Sequence, residues 1–363
     1  MPGLINSFAQ TGITQVAIPP HKYSDLLEKG PFKDELRQAL ATDGYYIVKG
    51  AIPKERGLEY RDRAHSWLED FKLGYDRNDE STWTNEHLPP HIKGGMFSAP
   101  SKVYHESWVW DIRTEPGVMD AFAKLWGTKE LTTSFDGASV MLPRRKDLPP
   151  PSSADKWEHM DQSPNRTGFF GQHFLLPPSD AQPCMNPISL SLKVAQGLVN
   201  LNYNGPKDGG LLVMKGSSVL INEYFATFPE EKANSGSWGP ADWYGFTKAQ
   251  QTWFLSKGCE WVKVCLEPGD MVLWDSRTIH YNRRPSGDVD RVCTYVCMAP
   301  VELLNDADRA TKQELFKTFG ATYPQTHNPF ENIFVREKVE GPLQKPITNP
   351  SETILKLSAM MPY

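Results

Sequence analysis

A mainly β fold, a sandwich or barrel with helices at its flanks, is what this sequence predicts. Two observations carry that prediction. Up to about residue 130 the apolar positions recur at helical spacing, whereas from Leu131 to Val301 they fall into short β-rich runs. Those runs are separated by turn residues such as Lys207-Asp208-Gly209-Gly210 and Pro268-Gly269-Asp270 rather than by helices, which argues against a parallel βαβ sheet.

Taken in order, residues 1–30 form a polar, Pro-containing lead-in with little pattern. Phe32, Leu36 and Leu40 share one face of a helix over 32–41, and Asp43-Gly44 stops it. Tyr45–Val48 reads as a short strand closed by Gly50. A longer amphipathic helix runs over 53–73, with Pro53 in its first turn and Trp67, Leu68 and Phe71 on its apolar side. The stretch 75–108, rich in Asn, Pro, Gly and His, reads as loop, and a helix follows over 118–126. Strands are then expected at 133–142, 197–203, 210–216, 261–266, 271–274 and 291–299. Residues 222–258, with Trp238, Trp243 and Trp253, look like an insertion between strands, and a helix over 309–319 precedes a Pro-rich end. The chain thus reads as one domain over 1–363. It has a helical flank (1–130), a β core (131–301) and a C-terminal helix and tail (302–363).

Composition narrows the function classes. The chain has 363 residues with 39 Lys+Arg against 44 Asp+Glu, so no basic field draws it to nucleic acid or anionic membrane. No apolar run approaches the length of a membrane span, and the first 21 residues lack Lys and Arg, so no secretory leader is expected. Five cysteines without a Cys-x-x-Cys pair read as reduced thiols in the cytoplasm. An enzyme or a binding module acting on a small molecule remains.

The chemistry is carried by three pieces. In an extended segment residues two apart project from one face, so His159 and Asp161 in Glu-His-Met-Asp-Gln can share one metal. Alone this means little, because such pairs arise by chance in a chain with nine histidines. The second piece is the Pro268-Gly269-Asp270 turn and the apolar strand after it, which leads to His280. The third is a strand that opens at Arg291, with Arg291, Cys293, Tyr295 and Cys297 on one face. An arginine among core-type neighbours needs a buried anion, because an unpaired buried charge is very costly. Together His159, Asp161 and His280 form a two-histidine, one-carboxylate set suited to non-haem Fe(II), and Arg291 offers a bidentate fork for a carboxylate.

At these residues the sequence resembles the phytanoyl-CoA dioxygenase family of Fe(II)/2-oxoglutarate oxygenases, particularly its fungal-type members, over residues 30–330. The most specific stretches are 158–162, 200–218 and 268–291. The resemblance implies a double-stranded β-helix (a jelly-roll, cupin-like barrel), iron at His159, Asp161 and His280, and 2-oxoglutarate at Arg291, with O2 as oxidant. It also implies that Gln162 and Gln196 sit where relatives contact the co-substrate. Met160 replaces the Gln frequent between the ligands, and Cys293 stands where relatives often have Ser. Oxidation of a small metabolite, by default hydroxylation with release of succinate and CO2, is the activity implied. Halogenation is disfavoured, because related halogenases lack the acid that Asp161 supplies. A silent β-barrel or a redox-neutral cupin-type metalloenzyme is the alternative, and neither needs a buried anion anchor. His87, His91, His105 and His173 read as ordinary histidines, and Arg144-Arg145-Lys146 as a solvated turn. Trp157 and Trp274 either line the pocket or fill the barrel, while Asn202, Tyr203 and Asn204 fall near its mouth.

Overall fold

A computed structural model describes residues 35–97, 101–152, 156–165, 194–234, 243–322 and 344–363. The lead-in 1–30, Phe32, His173 and Trp238 lie outside them. The N-terminal flank folds as α1 (Glu35–Thr42), β1 (Tyr45–Val48), α2 (Lys54–Asp70), β2 (Met96–Phe97), α3 (Ser107–Arg113) and α4 (Pro116–Trp126). Pro53 is the N-cap of α2, one step ahead of the first turn expected for it. Helix α4 starts with Pro116 in its first turn and stops at Gly127 in the left-handed region, the usual division of labour between these two residues. Helix α3 falls at the end of the stretch read as loop. Its sequence, Ser-Trp-Val-Trp-Asp-Ile-Arg, is buried on nearly every side, so it shows no polar face to give a helical period.

The β region supplies β3 (Leu131–Thr133), β4 (Ala138–Met141), β5 (His159–Met160), β6 (Ala195–Asn200) and β7 (Gly210–Lys215). It continues through β8 (Tyr244–Gly245), β9 (Glu260–Lys263), β10 (Met271–Asp275), β11 (His280–Arg283) and β12 (Arg291–Pro300). These strands build two antiparallel sheets. The larger has the order β1-β10-β6-β12-β4-β2, with β3 also on β12, and the smaller has the order β8-β5-β11-β7-β9. From β4 onward, β4, β6, β10 and β12 fall in the larger sheet and β5, β7, β9 and β11 in the smaller. The inserted segment is wider than expected, because α5 (Ser217–Thr227) starts before residue 222 and is followed by α6 (Pro229–Asn234), β8 and α7 (Lys248–Ser256). Thr247 and Gln250 close a reciprocal capping box at the start of α7. Helix α8 (Asp306–Lys317) begins three residues earlier than expected, capped by Asn305, and α9 (Glu352–Leu357) forms in the tail where no helix was expected.

Packing divides into three apolar clusters. One lies between the larger sheet and the flanking helices, with Trp67 and Leu68 of α2, Phe122 of α4 and Val199, Val292 and Val296 of the sheet. A second covers the outside of the smaller sheet with α5 and α7, and Met160, Met214 and Ile279 point into it. The third fills the space between the sheets, where Leu198, Val272, Trp274 and Cys293 meet Leu211 and Val213. Alternation along each strand therefore sends His159 inward and Met160 outward. The one-face reading of β12 holds for Cys293 and Tyr295 but fails at Cys297. That residue joins Val296, Met298 and Ala299 in the helix-facing cluster where β12 turns to pair with β3.

Candidate metal centre and anion pocket

His159 and His280 face each other as a direct antiparallel pair of β5 and β11, with ring centroids 4.4 Å apart. Each ring is fixed by its own backbone. His159 Nδ1 lies 2.8 Å from the carbonyl of Trp157, and His280 Nδ1 lies 2.9 Å from that of Thr278. A carbonyl only accepts, so both Nδ1 atoms donate and each ring turns its Nε2 inward. Those nitrogens approach Asp161 at 3.3 Å and 3.2 Å, and the three side chains are nearly fully buried. Burial, and then the neighbouring His159, push the His280 pKa below its usual value, which favours the neutral ring. Lone pairs and carboxylate oxygens pressed together in this way call for a cation. The ligand atoms all lie within 4.8 Å of one another, close enough to converge on one ion.

Asp161 follows the last residue of β5 rather than continuing the strand. Its amide N–H donates to the carbonyl of Ser276 at 2.9 Å, and its Oδ2 accepts from Gln196 Nε2 at 2.9 Å. Gln196 therefore holds the Asp161 carboxylate, and among the described residues its own Oε1 is buried without a partner. Gln162 turns elsewhere. Its Oε1 accepts from Ser276 Oγ at 3.0 Å, and it lines a cavity of about 290 Å³ with Met160, Ile221, Phe225 and Arg277. Trp157 stacks on His159 at 4.4 Å, and Trp243, half-exposed, lies 5.8 Å from the same ring. Trp274 belongs to the inter-sheet cluster and also stands 5.5 Å from His280, so it serves both roles left open by the sequence.

Arg291 is buried at the end of the same interior. Its Nη2 donates to Asn282 Oδ1 at 2.8 Å and its Nη1 to the Tyr295 hydroxyl at 3.3 Å, with Met141 Sδ at 3.8 Å. All of these are neutral. Asp290, its chain neighbour, is turned away to His65 Nε2 at 2.8 Å and to Asn202, and Asp288 pairs with Arg144. Among the described residues, then, this guanidinium is buried with no carboxylate beside it. Ser139 Oγ, 2.9 Å from the Tyr295 hydroxyl, adds a second hydroxyl where Cys293 supplies none.

Several other candidates lie away from the centre. His87 contacts Thr84, His91 the carbonyl of Pro89 and His105 that of Gly320. Arg144 and Lys146 are exposed in a turn, as expected, with Arg144 paired to Glu80 and Asp288, while Arg145 is buried against Asp147. Asn202 holds Asp290, Tyr203 is exposed beneath Lys54, and Asn204 stands beside Arg291. The sequence reading missed Asn282, Ser139 and the polar role of Tyr295. One signal was present, since Asn282 lies two residues beyond His280 and so shares its face.

No family model matches the chain. A protein of Aspergillus versicolor, "Ava biosynthesis cluster protein O", is 39% identical over 301 residues, covering 83% of this chain and 86% of that one. A Dictyostelium discoideum protein carrying the phytanoyl-CoA dioxygenase name is 23% identical over 279 residues, covering 72% of this chain and 74% of its own. Among solved structures, EctD from S. alaskensis with 2-oxoglutarate and 5-hydroxyectoine is 13% identical with a TM-score of 0.47, covering 76% of this chain and 78% of that one. The epimerase SnoN in complex with Fe3+, alpha ketoglutarate and nogalamycin RO is 17% identical with a TM-score of 0.47, covering 76% and 84%. With a 39% identical relative over most of its length, the chain belongs to the family of the Aspergillus versicolor protein, and the Dictyostelium relative agrees with the resemblance to phytanoyl-CoA dioxygenase-like Fe(II)/2-oxoglutarate oxygenases.

Proposed function

We propose that His159, Asp161 and His280 hold Fe(II), that Arg291 anchors the distal carboxylate of 2-oxoglutarate, and that the enzyme hydroxylates a small-molecule metabolite. The observation that carries this reading is the placement of a buried, carboxylate-free Arg291 beside a two-histidine, one-aspartate set. Asn282, which accepts from Arg291, lies two residues from His280 on β11, about 7 Å along an extended strand. A five-carbon dicarboxylate spans that interval, with its 2-oxo acid end at the metal and its far carboxylate at the guanidinium. The strand order also supports a double-stranded β-helix, since from β4 to β12 successive strands alternate between the sheets except at β7, β8 and β9, which all lie in the smaller one.

The chain's own contribution is positional and electrostatic. His159 and His280 present bare Nε2 atoms, Asp161 brings the negative charge, and Gln196 keeps that carboxylate aimed. Arg291, braced by Asn282 and Tyr295, fixes the depth and orientation of the co-substrate. Trp157 and Trp274 wall the two histidine rings and keep water from them. Iron bound there with 2-oxoglutarate supplies dioxygen activation, decarboxylation of the co-substrate to succinate and CO2, and oxidation of an unreactive C–H bond. Asp161 fills the ligand place that a halide would need, which disfavours halogenation.

The test is anaerobic titration of the iron-loaded protein with 2-oxoglutarate, followed by the metal-to-ligand charge-transfer band. Arg291→Lys keeps the charge and loses the fork, so the dissociation constant should rise about ten- to a hundredfold with iron still bound. Arg291→Gln should do worse. An unchanged constant in both variants returns Arg291 to a purely structural role. It would also revive the alternative of a silent or redox-neutral cupin-type barrel.

A further inference from the structure

We propose that the cavity beside Gln162 is a second small-molecule site, for a compact apolar molecule bearing a carbonyl or carboxylate oxygen, and that Ser276 couples its occupancy to Asp161. The site goes beyond the function proposed above, whereas the coupling rests on the reading of Asp161 as a metal ligand.

The cavity lies behind the metal-ligand strand. His159 and Met160 point to opposite faces of β5, and Met160 joins Ile221 and Phe225 of α5 in the cluster outside the smaller sheet. Those three side chains form the apolar wall of a space of about 290 Å³. At the roughly 30 Å³ that a water takes up in the liquid, it holds about ten non-hydrogen atoms. Asn165 Nδ2 donates to the carbonyl of Lys232 at 3.1 Å, which ties the segment after β5 to α6 beside the cavity. An occupant here has β5 between it and His159, so it is not the molecule presented to the metal.

The polar wall is rich in donors. Gln162 is only 5% exposed and its Oε1 accepts from Ser276 Oγ, while among the described residues its Nε2 makes no hydrogen bond. A buried amide donor left open beside a cavity calls for an acceptor. Arg277 and Lys232 border the same space, and no acidic side chain among the described residues does. The Arg277 charge is matched by Asp275, to which its Nε donates at 3.0 Å. The site therefore favours an oxygen acceptor on an apolar body and disfavours a cation.

Ser276 is fully buried and serves both sides. Its Oγ donates to Gln162, and its carbonyl accepts the Asp161 N–H at 2.9 Å. An acceptor on Gln162 Nε2 polarises and fixes the amide, which strengthens its hold on Ser276 and, through it, on the main chain at Asp161. A less mobile Asp161 is better prepared for a cation. Occupancy should therefore raise iron affinity, and iron should raise affinity for the occupant by the same factor.

The experiment uses the full iron-loaded chain, without oxygen and saturated with 2-oxoglutarate. Its probe is 2-phenylacetamide, which matches the cavity in size and carries one carbonyl. Calorimetry should give a dissociation constant of about a millimolar or below, and 2-phenylethylamine, the same skeleton without the carbonyl, should bind about tenfold more weakly. Ala226→Trp, at an exposed α5 position on the cavity wall, should plug the space and weaken 2-phenylacetamide by about tenfold or more. Gln162→Leu should bind the two compounds alike. Competition with a chelator should show iron held about fivefold more tightly with 2-phenylacetamide present, and no such gain in Ala226→Trp. Equal binding of the two compounds by the parent, parent-like binding by Ala226→Trp, or binding seen only without 2-oxoglutarate overturns the site. Binding with unchanged iron affinity overturns the coupling. Should Gln162→Leu fold poorly, the parent and Ala226→Trp decide alone. A parent chain that takes up no iron refutes the reading of Asp161 instead, and the calorimetry still decides the site.

Discussion

At the scale of single residues, the interior is organised by which atoms are left bare. The backbone takes the Nδ1 proton of each histidine, so both Nε2 atoms stay available to a cation without any need to choose a tautomer on binding. His280→Ala and Asp161→Ala should each lose iron, measured as metal per chain after dialysis, and turnover of 2-oxoglutarate with it. Gln196→Leu removes the donor on Asp161 Oδ2 and should weaken iron affinity by about ten- to a hundredfold while the fold persists. Competition with a metallochromic chelator measures this, and parent-like affinity would show that Asp161 needs no such support. His159, Asp161, His280 and Arg291 were legible because their order along the chain is specific, His280 follows a plainly apolar strand and Arg291 opens another. The roles of Asn282, Tyr295 and Ser139 were not. They depend on cross-strand register, in which Arg291 opposes Met141 and Cys293 opposes Ser139, and nothing local in sequence encodes those pairings.

Between elements, the joint that matters most for the pocket lies between α2 and the start of β12. His65 of α2 bridges the Tyr75 hydroxyl at 2.7 Å and Asp290 Oδ2 at 2.8 Å, one residue before Arg291. His65→Leu leaves a largely buried Asp290 without that partner, which should cost about 1–3 kcal/mol and lower the melting temperature by several degrees. Denaturant unfolding followed by far-UV circular dichroism gives the free energy, and an unchanged midpoint would assign the joint to apolar contact alone. Amphipathic elements such as α2 were readable, because polar residues alternate with Trp67, Leu68 and the buried Ala64. Helix α5 was not, since besides Leu220 it buries Val219, Ile221, Tyr224 and Phe225, a β-branched and aromatic set that imitates strand composition. Burial on several sides erased the helical period there, as it did in α3.

For the whole molecule, both edges of the larger sheet are strands from the first 130 residues. Four-residue β1 pairs with β10, and two-residue β2 with β4. The flank is thus woven into the sheet as well as packed on it. A fragment of residues 1–130 should show no cooperative melting, and removing it should leave β10 and β4 as bare edges and drive aggregation. Scanning calorimetry of the intact chain should give one transition, and a folded 1–130 fragment would sink the single-domain expectation. No described helix is long and apolar enough to cross a membrane.

The direct pairing of His159 with His280 has a consequence for the order in which the protein is made. Residues 159 and 161 leave the ribosome more than a hundred codons ahead of 280, and the sheet that joins β5 to β11 cannot close until β11 has emerged. Nascent chains halted before that point hold only two of the three proposed ligands and should let iron go. On the proposed ligand set, metal capture then waits until β11 has emerged and paired with β5, and so reports that the smaller sheet has found its register.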